Sequence, residues 1–545
     1  MKKIMAMGMS LAMALSLAAC GSSDSGAGSS TSFIYSSELT IKNLDSADAD
    51  DGMSFTAMHA CIDGLMGVDA DGVVVEALAD SYEVSDDGLT YTYTLKDGLT
   101  WSNGTAVTAN DFVYAAKRIF LNLGNYYYLY GSDGAHIVGA DELMAKIDNG
   151  DTLTDADVET LGIKAVDEKT VEYTLTSQVS YFNEFMAFPC FYPINEEFAE
   201  EQGSNYGKSA DSIISNGAFV MDSWEIGKQA TYSKNADYWN ASAVTLESLT
   251  LQEAVEPAVG ATAFDNGEVD FAVINSSLVD GYSDNEAFKG INDGYLWYLS
   301  MNFKNDTIAN QNIRYALSYA INRQDLCDSI LKDGSSPATG FVPTGLATSS
   351  EGEDFRAASG DFEQCTYDLD KAQEYLDKGL AELGVSEITI DLLYGTDENI
   401  DDTANYLKDG WEKLDGLTIT TTATTKQDRI YNKQANGDYE VCITRWGPDY
   451  ADPTTYLTLA VSDNTNNYGK YASSEYDAMI EKINTESDVT TRWQEMIDAE
   501  AILINDMGFI PVFEKGSAVL ENTSVKNFVI KSVGVPYTFN YITKG

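Results

Sequence analysis

Histidine is scarce in this chain: His59 and His136 are its only two among 545 residues. A Ser-His-Asp triad or a two-histidine zinc site needs a well-placed imidazole, and neither a G-x-S-x-G nucleophile turn nor an H-E-x-x-H spacing occurs. The glycine patterns that cradle phosphates are missing too, with no P-loop and no G-x-G-x-x-G, and there is no EF-hand loop. Positive charge is short as well: 33 Lys and Arg stand against 86 Asp and Glu, a net charge of -53. Nucleic acid and anionic membrane surfaces therefore repel the chain, and the acidity reads chiefly as a means of keeping an extracellular surface soluble. Apart from Cys20 there are five cysteines, at 61, 190, 327, 365 and 442, and none forms a C-x-x-C pair, which argues against a zinc ribbon or a thioredoxin-like site. The odd number leaves at least one thiol unpaired, buried free thiols are the default, and spacing does not decide whether Cys327 and Cys365 pair. A pair of catalytic carboxylates stays open among so many acids but has no positive support. No cofactor and no metal site is expected, and the chain reads as a binding protein, not an enzyme.

Long apolar runs are confined to the N-terminus. Ile4 to Leu17 is apolar, follows Met-Lys-Lys and leads to Leu17-Ala18-Ala19-Cys20, the three-part pattern of an export signal. About fourteen apolar residues fall short of the ~20 needed to span a bilayer, so cleavage is expected. Small residues directly before a cysteine resemble the lipobox of bacterial lipoproteins. That resemblance implies a signal peptide at 1–19, diacylation of Cys20, and anchoring on the outer face of the cell membrane, as in Gram-positive bacteria. Residues 21 to 32 carry no large apolar side chain and read as a flexible tether. The remaining chain, 33–545, exceeds 500 residues. One hydrophobic core does not support that length, so at least two lobes are expected. With 44% hydrophobic and 11% aromatic residues, the chain has the material to build them.

Periodicity places the elements. Tyr82 and Val84, the turn Asp86-Asp87-Gly88, then Leu89, Tyr91, Tyr93 and Leu95 read as a hairpin with one apolar and one threonine face. Thr108 with Asp111 gives a capping box, Val107 and Phe112 a hydrophobic staple, and Phe112, Ala115, Ala116, Ile119 and Phe120 a buried helical stripe. Val171, Tyr173 and Leu175 alternate as a strand. From about residue 295 the texture becomes βαβ. It comprises a helical stripe of Ile313, Ala316, Leu317, Ala320 and Ile321, a helix over about 368–381, a strand 388–394, a helix bearing Ala404, Leu407, Trp411 and Leu414, and a strand 417–423. A last strand, 439–446, runs into Gly447-Pro448-Asp449-Tyr450-Ala451-Asp452-Pro453, which glycine and two prolines exclude from helix or central strand. Ligands of α/β sheets bind beyond the carboxyl ends of strands, so this loop is the leading site candidate.

Several blocks occur together in one order: Ile62-Asp63-Gly64-Leu65, Glu76-Ala77-Leu78-Ala79, Trp101-Ser102-Asn103-Gly104 through Tyr114, Ser215-Asn216-Gly217-Ala218-Phe219, Asn235-Ala236-Asp237-Tyr238-Trp239, Asn312 through Arg323, and Trp446 through Pro453. In these the chain resembles the family 5 extracellular solute-binding proteins, the large peptide-binding lipoproteins of peptide ABC importers. The resemblance implies an α/β, two-lobed, periplasmic-binding-protein-like fold with an extra domain inserted in the N-terminal lobe. Lobe one would comprise 33–75, 203–294 and 511–545, the inserted domain 76–202, and lobe two 295–510. It also implies short peptides as ligands, held extended between the lobes through their main chain, and permease subunits as partners of a monomer. Asp449 matches the family aspartate that pairs with the peptide's α-amino group, Trp446 and Gly447 would line the strand that the ligand pairs with, and Ile62, Asp63 and Gly64 a facing segment. Two positions where relatives place cations against the peptide carboxylate read Ile400 and Ile443, and Arg445 is the nearest substitute. Three readings stay open: peptide capture for import, peptide-signal sensing on the same scaffold, and an exported carboxylate-based hydrolase.

Overall fold

The alternation Thr-Tyr-Thr-Tyr-Thr-Leu over Thr90–Leu95 turns Tyr91, Tyr93 and Leu95 to one side, and a sheet forms where a second alternating strand matches it. In a computed structural model, which describes residues 31–545 apart from 133, 350 and 397–399, that sheet has four antiparallel strands in the order Ala79–Val84, Thr90–Leu95, Thr170–Thr174, Ile163–Asp167. The expected signal peptide 1–19, Cys20 and the expected tether as far as residue 30 lie outside the described residues. Helix Ala109–Leu121 packs on this sheet through the buried stripe Phe112, Ala115, Ala116, Ile119 and Phe120, and its capping box forms, with the Thr108 amide donating to Asp111 at 2.8 Å. The hairpin departs from expectation in one respect. Tyr82 and Val84 are 36% and 42% exposed, because Ala79–Val84 is the sheet's outer strand, where Tyr82 lies directly across from the fully buried Tyr93 and covers it from solvent.

The second sheet has eleven strands. From one edge it runs Leu417–Thr424, Ile388–Gly395, Val441–Trp446, Phe288–Met301, Phe509–Glu521, Phe271–Ile274, Ser32–Ser36, Ser248–Gln252, Gln229–Lys234, Phe219–Glu225, with Ser336–Pro337 paired to Phe509–Glu521 off this path. The expected βαβ texture is present: strands Ile388–Gly395 and Leu417–Thr424 are parallel and joined through helix Asp401–Trp411, whose Trp411 is fully buried and donates its indole N–H to the Leu317 carbonyl at 2.9 Å. Helix Leu369–Leu383 precedes them.

Two long central strands, Phe288–Met301 and Phe509–Glu521, pair antiparallel with each other. Apolar side chains gather in two large cores around them. One draws on residues between 33 and 271 together with Tyr450, Val519, Val525, Phe539 and Ile542, and takes in the four-stranded sheet; the other draws on residues between 296 and 513 together with Val533. The pairing of the long strands is interrupted between Asn292 and Leu296, where Gly294 has φ +80° and a Cβ would sit 2.4 Å from the Ser532 carbonyl oxygen. Glycine is required there on both counts. Cys61, Cys190, Cys327, Cys365 and Cys442 are all buried free thiols, and burial pushes Cys61 up to about 12.

Candidate functional site

Strand Val441–Trp446 pairs parallel to Ile388–Gly395 on one side and antiparallel to Phe288–Met301 on the other. It stops at Gly447-Pro448, where proline has no amide hydrogen to extend the ladder. Gly447 lies against the Tyr295 ring so closely that a Cβ would stand 2.3 Å from it. The loop beyond is pinned by buried groups. Asp452 receives a two-pronged ion pair from Arg492 of helix Val489–Asp506, at 2.6 and 2.9 Å, and accepts from the amide and hydroxyl of Thr454 at 3.0 and 2.5 Å. Burial alone would raise the Asp452 carboxyl, but Arg492 and Thr454 outweigh it and hold the group below the usual carboxylate range. Tyr450 stacks on Tyr181 with ring centres 4.6 Å apart and planes 3° from parallel.

So held, Asp449 is half-buried. Its Oδ1 accepts from the Tyr128 hydroxyl at 3.0 Å, and its backbone amide donates to Thr455 Oγ1 at 3.1 Å. Burial first, and the Asp449 charge second, push the phenols of Tyr128 and Tyr126 well above the usual tyrosine value. Asp449, Tyr450 and Ala451 line a small, partly open cavity of about 30 Å³. The rest of its lining comes from three distant stretches of chain, among them His59, Gly67 and Val68, then Glu184 and Phe185, then Lys531 and Thr538. Two of the lining residues each carry a polar atom that is sealed from solvent without a hydrogen-bond partner, His59 Nε2 and Thr538 Oγ1. His59 Nδ1 lies 2.8 Å from the Tyr192 hydroxyl; burial, and then the Lys531 charge, lower its imidazole to about 4, so it is neutral at pH 7. Burial also raises the Glu184 carboxyl.

The other residues singled out in the sequence stand elsewhere. Arg445, Trp446 and Gly447 lead into the loop but do not line the cavity; the Arg445 guanidinium lies over the rings of Tyr295 and Trp297, at 4.9 and 5.5 Å. Ile62, Asp63 and Gly64 are buried and also off the cavity, whose wall on that side is Gly67 and Val68. Asp63 is instead where several sequence blocks meet. Its Oδ2 accepts from the Tyr238 hydroxyl at 2.8 Å and the Trp239 indole at 3.2 Å, its amide donates to Asn216 Oδ1 at 2.8 Å, and Ser215 exchanges hydrogen bonds with Ser102. Burial pushes the Asp63 carboxyl up to about 6. Ile400 and Ile443 are both buried in the second core and present no group to a ligand. His59, Glu184, Lys531 and Thr538 were not legible as site residues, because no motif links positions so far apart in the chain.

Asp449 thus brings a negative charge to a cavity otherwise lined largely by aromatic and aliphatic side chains. Among the described residues no group of three or more His, Cys, Asp or Glu is placed to hold a metal ion, and no helix is long and apolar enough to cross a membrane.

Known proteins carry the same design. The family model described as bacterial extracellular solute-binding proteins, family 5, matches residues 73–468. A dipeptide-binding protein of Lactococcus lactis is 32% identical over 528 residues, covering 92% of each chain. The structure of Listeria monocytogenes OppA bound to peptide is 32% identical, with a TM-score of 0.70 over 94% of this chain and 99% of that one. The pheromone receptor PrgZ is 28% identical, with a TM-score of 0.70 over 95% of this chain and 100% of that one. With its two-cored α/β architecture, the chain belongs to the family 5 bacterial extracellular solute-binding proteins.

Proposed function

We propose that the protein captures short peptides outside the cell and delivers them to the permease of an ABC importer, binding without turnover. The observation that carries this is Asp449, a carboxylate half-buried at the mouth of a sheet-end loop and lining a cavity between segments of both cores. A peptide's α-ammonium is its natural counter-ion, and the L. lactis dipeptide-binding protein and peptide-bound Listeria OppA support the ligand class. The cleft lies between two lobes joined near 294 and 510, with residues 76–202 as an insertion in the first.

If the ammonium–Asp449 pair is shielded when bound, removing one partner costs about 3 to 5 kcal/mol, against ~1 or less for an exposed pair. Asp449→Asn should then weaken peptide binding by on the order of a hundredfold. N-acetylation of the peptide should do the same to the wild type, and the two losses should not add. Calorimetry on the four combinations is the test; full additivity, or normal affinity for the acetylated peptide, would remove Asp449 from the role.

Membrane attachment in this reading rests on acylated Cys20, since so acidic a chain has no electrostatic hold on an anionic surface. Cys20→Ser should appear in the medium, and its retention on membranes would sink the lipoprotein assignment. The likeness to PrgZ favours a second reading, peptide sensing on the same fold. Uptake of labelled peptide by cells with and without the gene separates the two: import predicts a loss of uptake, sensing none.

A further inference from the structure

Side chains bridge the break in the two long strands. Asn292 pairs with Gly516 and Leu296 with Glu514, so Asp293, Gly294 and Tyr295 stand against Lys515 alone. The two sides of the break belong to different cores. Ile291 packs on the first, whereas Leu296 is part of the second, as are Val342 and Leu346 on either side of Thr344. Asn292 reaches across: its side-chain amide donates to the Thr344 carbonyl and to Glu514 Oε2, both at 3.0 Å. Glu514 Oε2 also accepts from the Thr344 backbone amide at 3.2 Å, and Oε1 lies 3.3 Å from the Thr344 hydroxyl. One loop and one side chain from each strand are thereby tied across the boundary between the cores.

Glu514 is 2% exposed. Arg356, whose charge favours its ionised form, is gripped by Glu500 at 2.6 and 2.8 Å, and Asp354, whose charge opposes it, accepts from the Gly345 amide at 2.7 Å. Lys515, the next residue in the strand, is bonded to Asp333 at 2.8 Å, and Asp293 accepts from Ser517 at 2.8 Å. Tyr456 and Cys327, which also feel the Glu514 charge, are buried groups pushed upward and so neutral at pH 7. A carboxylate buried with no cation bonded to it is costly, and burial accordingly pushes Glu514 from the ordinary 4.5 up to about 7. The neutral acid suits the site: Oε2 takes both N–H donors, and an O–H on Oε1 has the Thr344 hydroxyl as its acceptor.

We propose that Glu514, Asn292 and Thr344 form a proton-held clasp across the hinge between the lobes, intact while the acid keeps its proton and loosened when it gives the proton up. This rests on the two-lobed capture reading above. The stabilisation from the bound proton is full below about pH 4.5 and is lost as pH rises through about 7, so at higher pH an arrangement of the lobes that lets water reach Glu514 is favoured. The cavity beside Asp449 has room for roughly two water molecules at about 30 Å³, so seating a peptide there moves its walls apart, and the clasp opposes that movement. Peptide affinity should therefore rise as Glu514 ionises.

Hydrogen exchange tests the clasp without any ligand. Corrected for the intrinsic rate, protection of fragments covering 290–296 and 342–346 should fall roughly tenfold in the wild type between pH 6 and pH 8.5, with helix Leu369–Leu383 as the control that does not change. Glu514→Gln, an amide in place of the neutral acid, should keep the pH 6 protection throughout, and Asn292→Ala should lack it already at pH 6. Wild type and Glu514→Gln losing protection in parallel overturns the clasp, and so does an Asn292→Ala whose protection matches the wild type's at every pH. Calorimetry with trialanine reads the consequence for binding. The wild type should bind about as tightly as Glu514→Gln at pH 6 and at least threefold more tightly at pH 8, a comparison that cancels the titration of the peptide's own amine. Equal affinities at both pH values overturn the clasp's hold on binding. A wild type that binds no peptide overturns the capture reading, while the exchange experiment still decides the clasp.

Discussion

Asp63 and Asp449 are both carboxylates of family motifs, and burial gives them different work. Asp63 is 3% exposed, and burial pushes it from the ordinary 3.8 up to about 6, against the hydrogen bonds from Tyr238 and Trp239. The folded state thus keeps a proton that the unfolded chain gives up. The resulting stabilisation is fully present below about pH 3.8 and is lost as pH rises through about 6, a change on the order of 3 kcal/mol. Asn in its place still accepts from Tyr238 and Trp239 but does not titrate. The unfolding free energy of wild type minus that of Asp63→Asn should therefore fall by about that amount between pH 4 and pH 7, and urea titrations across this range read it. Parallel curves would mean that Asp63 does not carry the proton. Peptide affinity should hardly change in Asp63→Asn, since the side chain lies off the cavity.

The loop 447–453 depends on elements far from it in sequence. Gly447 fits only because it has no side chain to meet Tyr295, and Asp452 is fixed by Arg492 from helix Val489–Asp506. Both partners of that ion pair are over nine-tenths buried, so Arg492→Ala leaves a buried carboxylate unpaired and should cost about 3 to 5 kcal/mol. Asp452→Ala strands the guanidinium in the same way. The double variant should recover part of the loss, because no unpaired charge remains. Denaturant unfolding of the three variants decides it; a double variant as unstable as the sum of the singles would show that the pair is not coupled. Since this anchor also sets where Asp449 points, Arg492→Ala should bind peptide more weakly than the wild type even under conditions where it is fully folded.

At the scale of the whole molecule, the two long strands are the continuous connection between the cores, and their pairing is interrupted around Gly294. In the proposed reading, ligand bridges the two cores and favours a closed arrangement by the difference in its affinity for the two states. Small-angle scattering should show a smaller radius of gyration with saturating peptide. An unchanged radius with tightly bound peptide would argue against a hinged cleft.

Much of the fold was legible because it is local. The capping box at Thr108, the stripe from Phe112 to Phe120, the strands at 388 and 417 and the loop ended by two prolines follow from spacing within a few residues, and each stands where the periodicity places it. Motif order likewise identified the family. The exposure of Tyr82 was not legible, since alternation does not tell an outer strand from an inner one. Nor was the cavity. His59, Glu184, Asp449, Lys531 and Thr538 span almost 500 positions and meet only through long-range pairing and packing. Sequence by itself determined the elements, the acidic surface and the family; the tertiary structure alone decided that the Ile62–Gly64 block closes on Asn216, Tyr238 and Trp239 while His59 and Lys531 join Asp449 around one cavity. Periodicity is a property of neighbours along the chain, and a binding site is a property of neighbours across it.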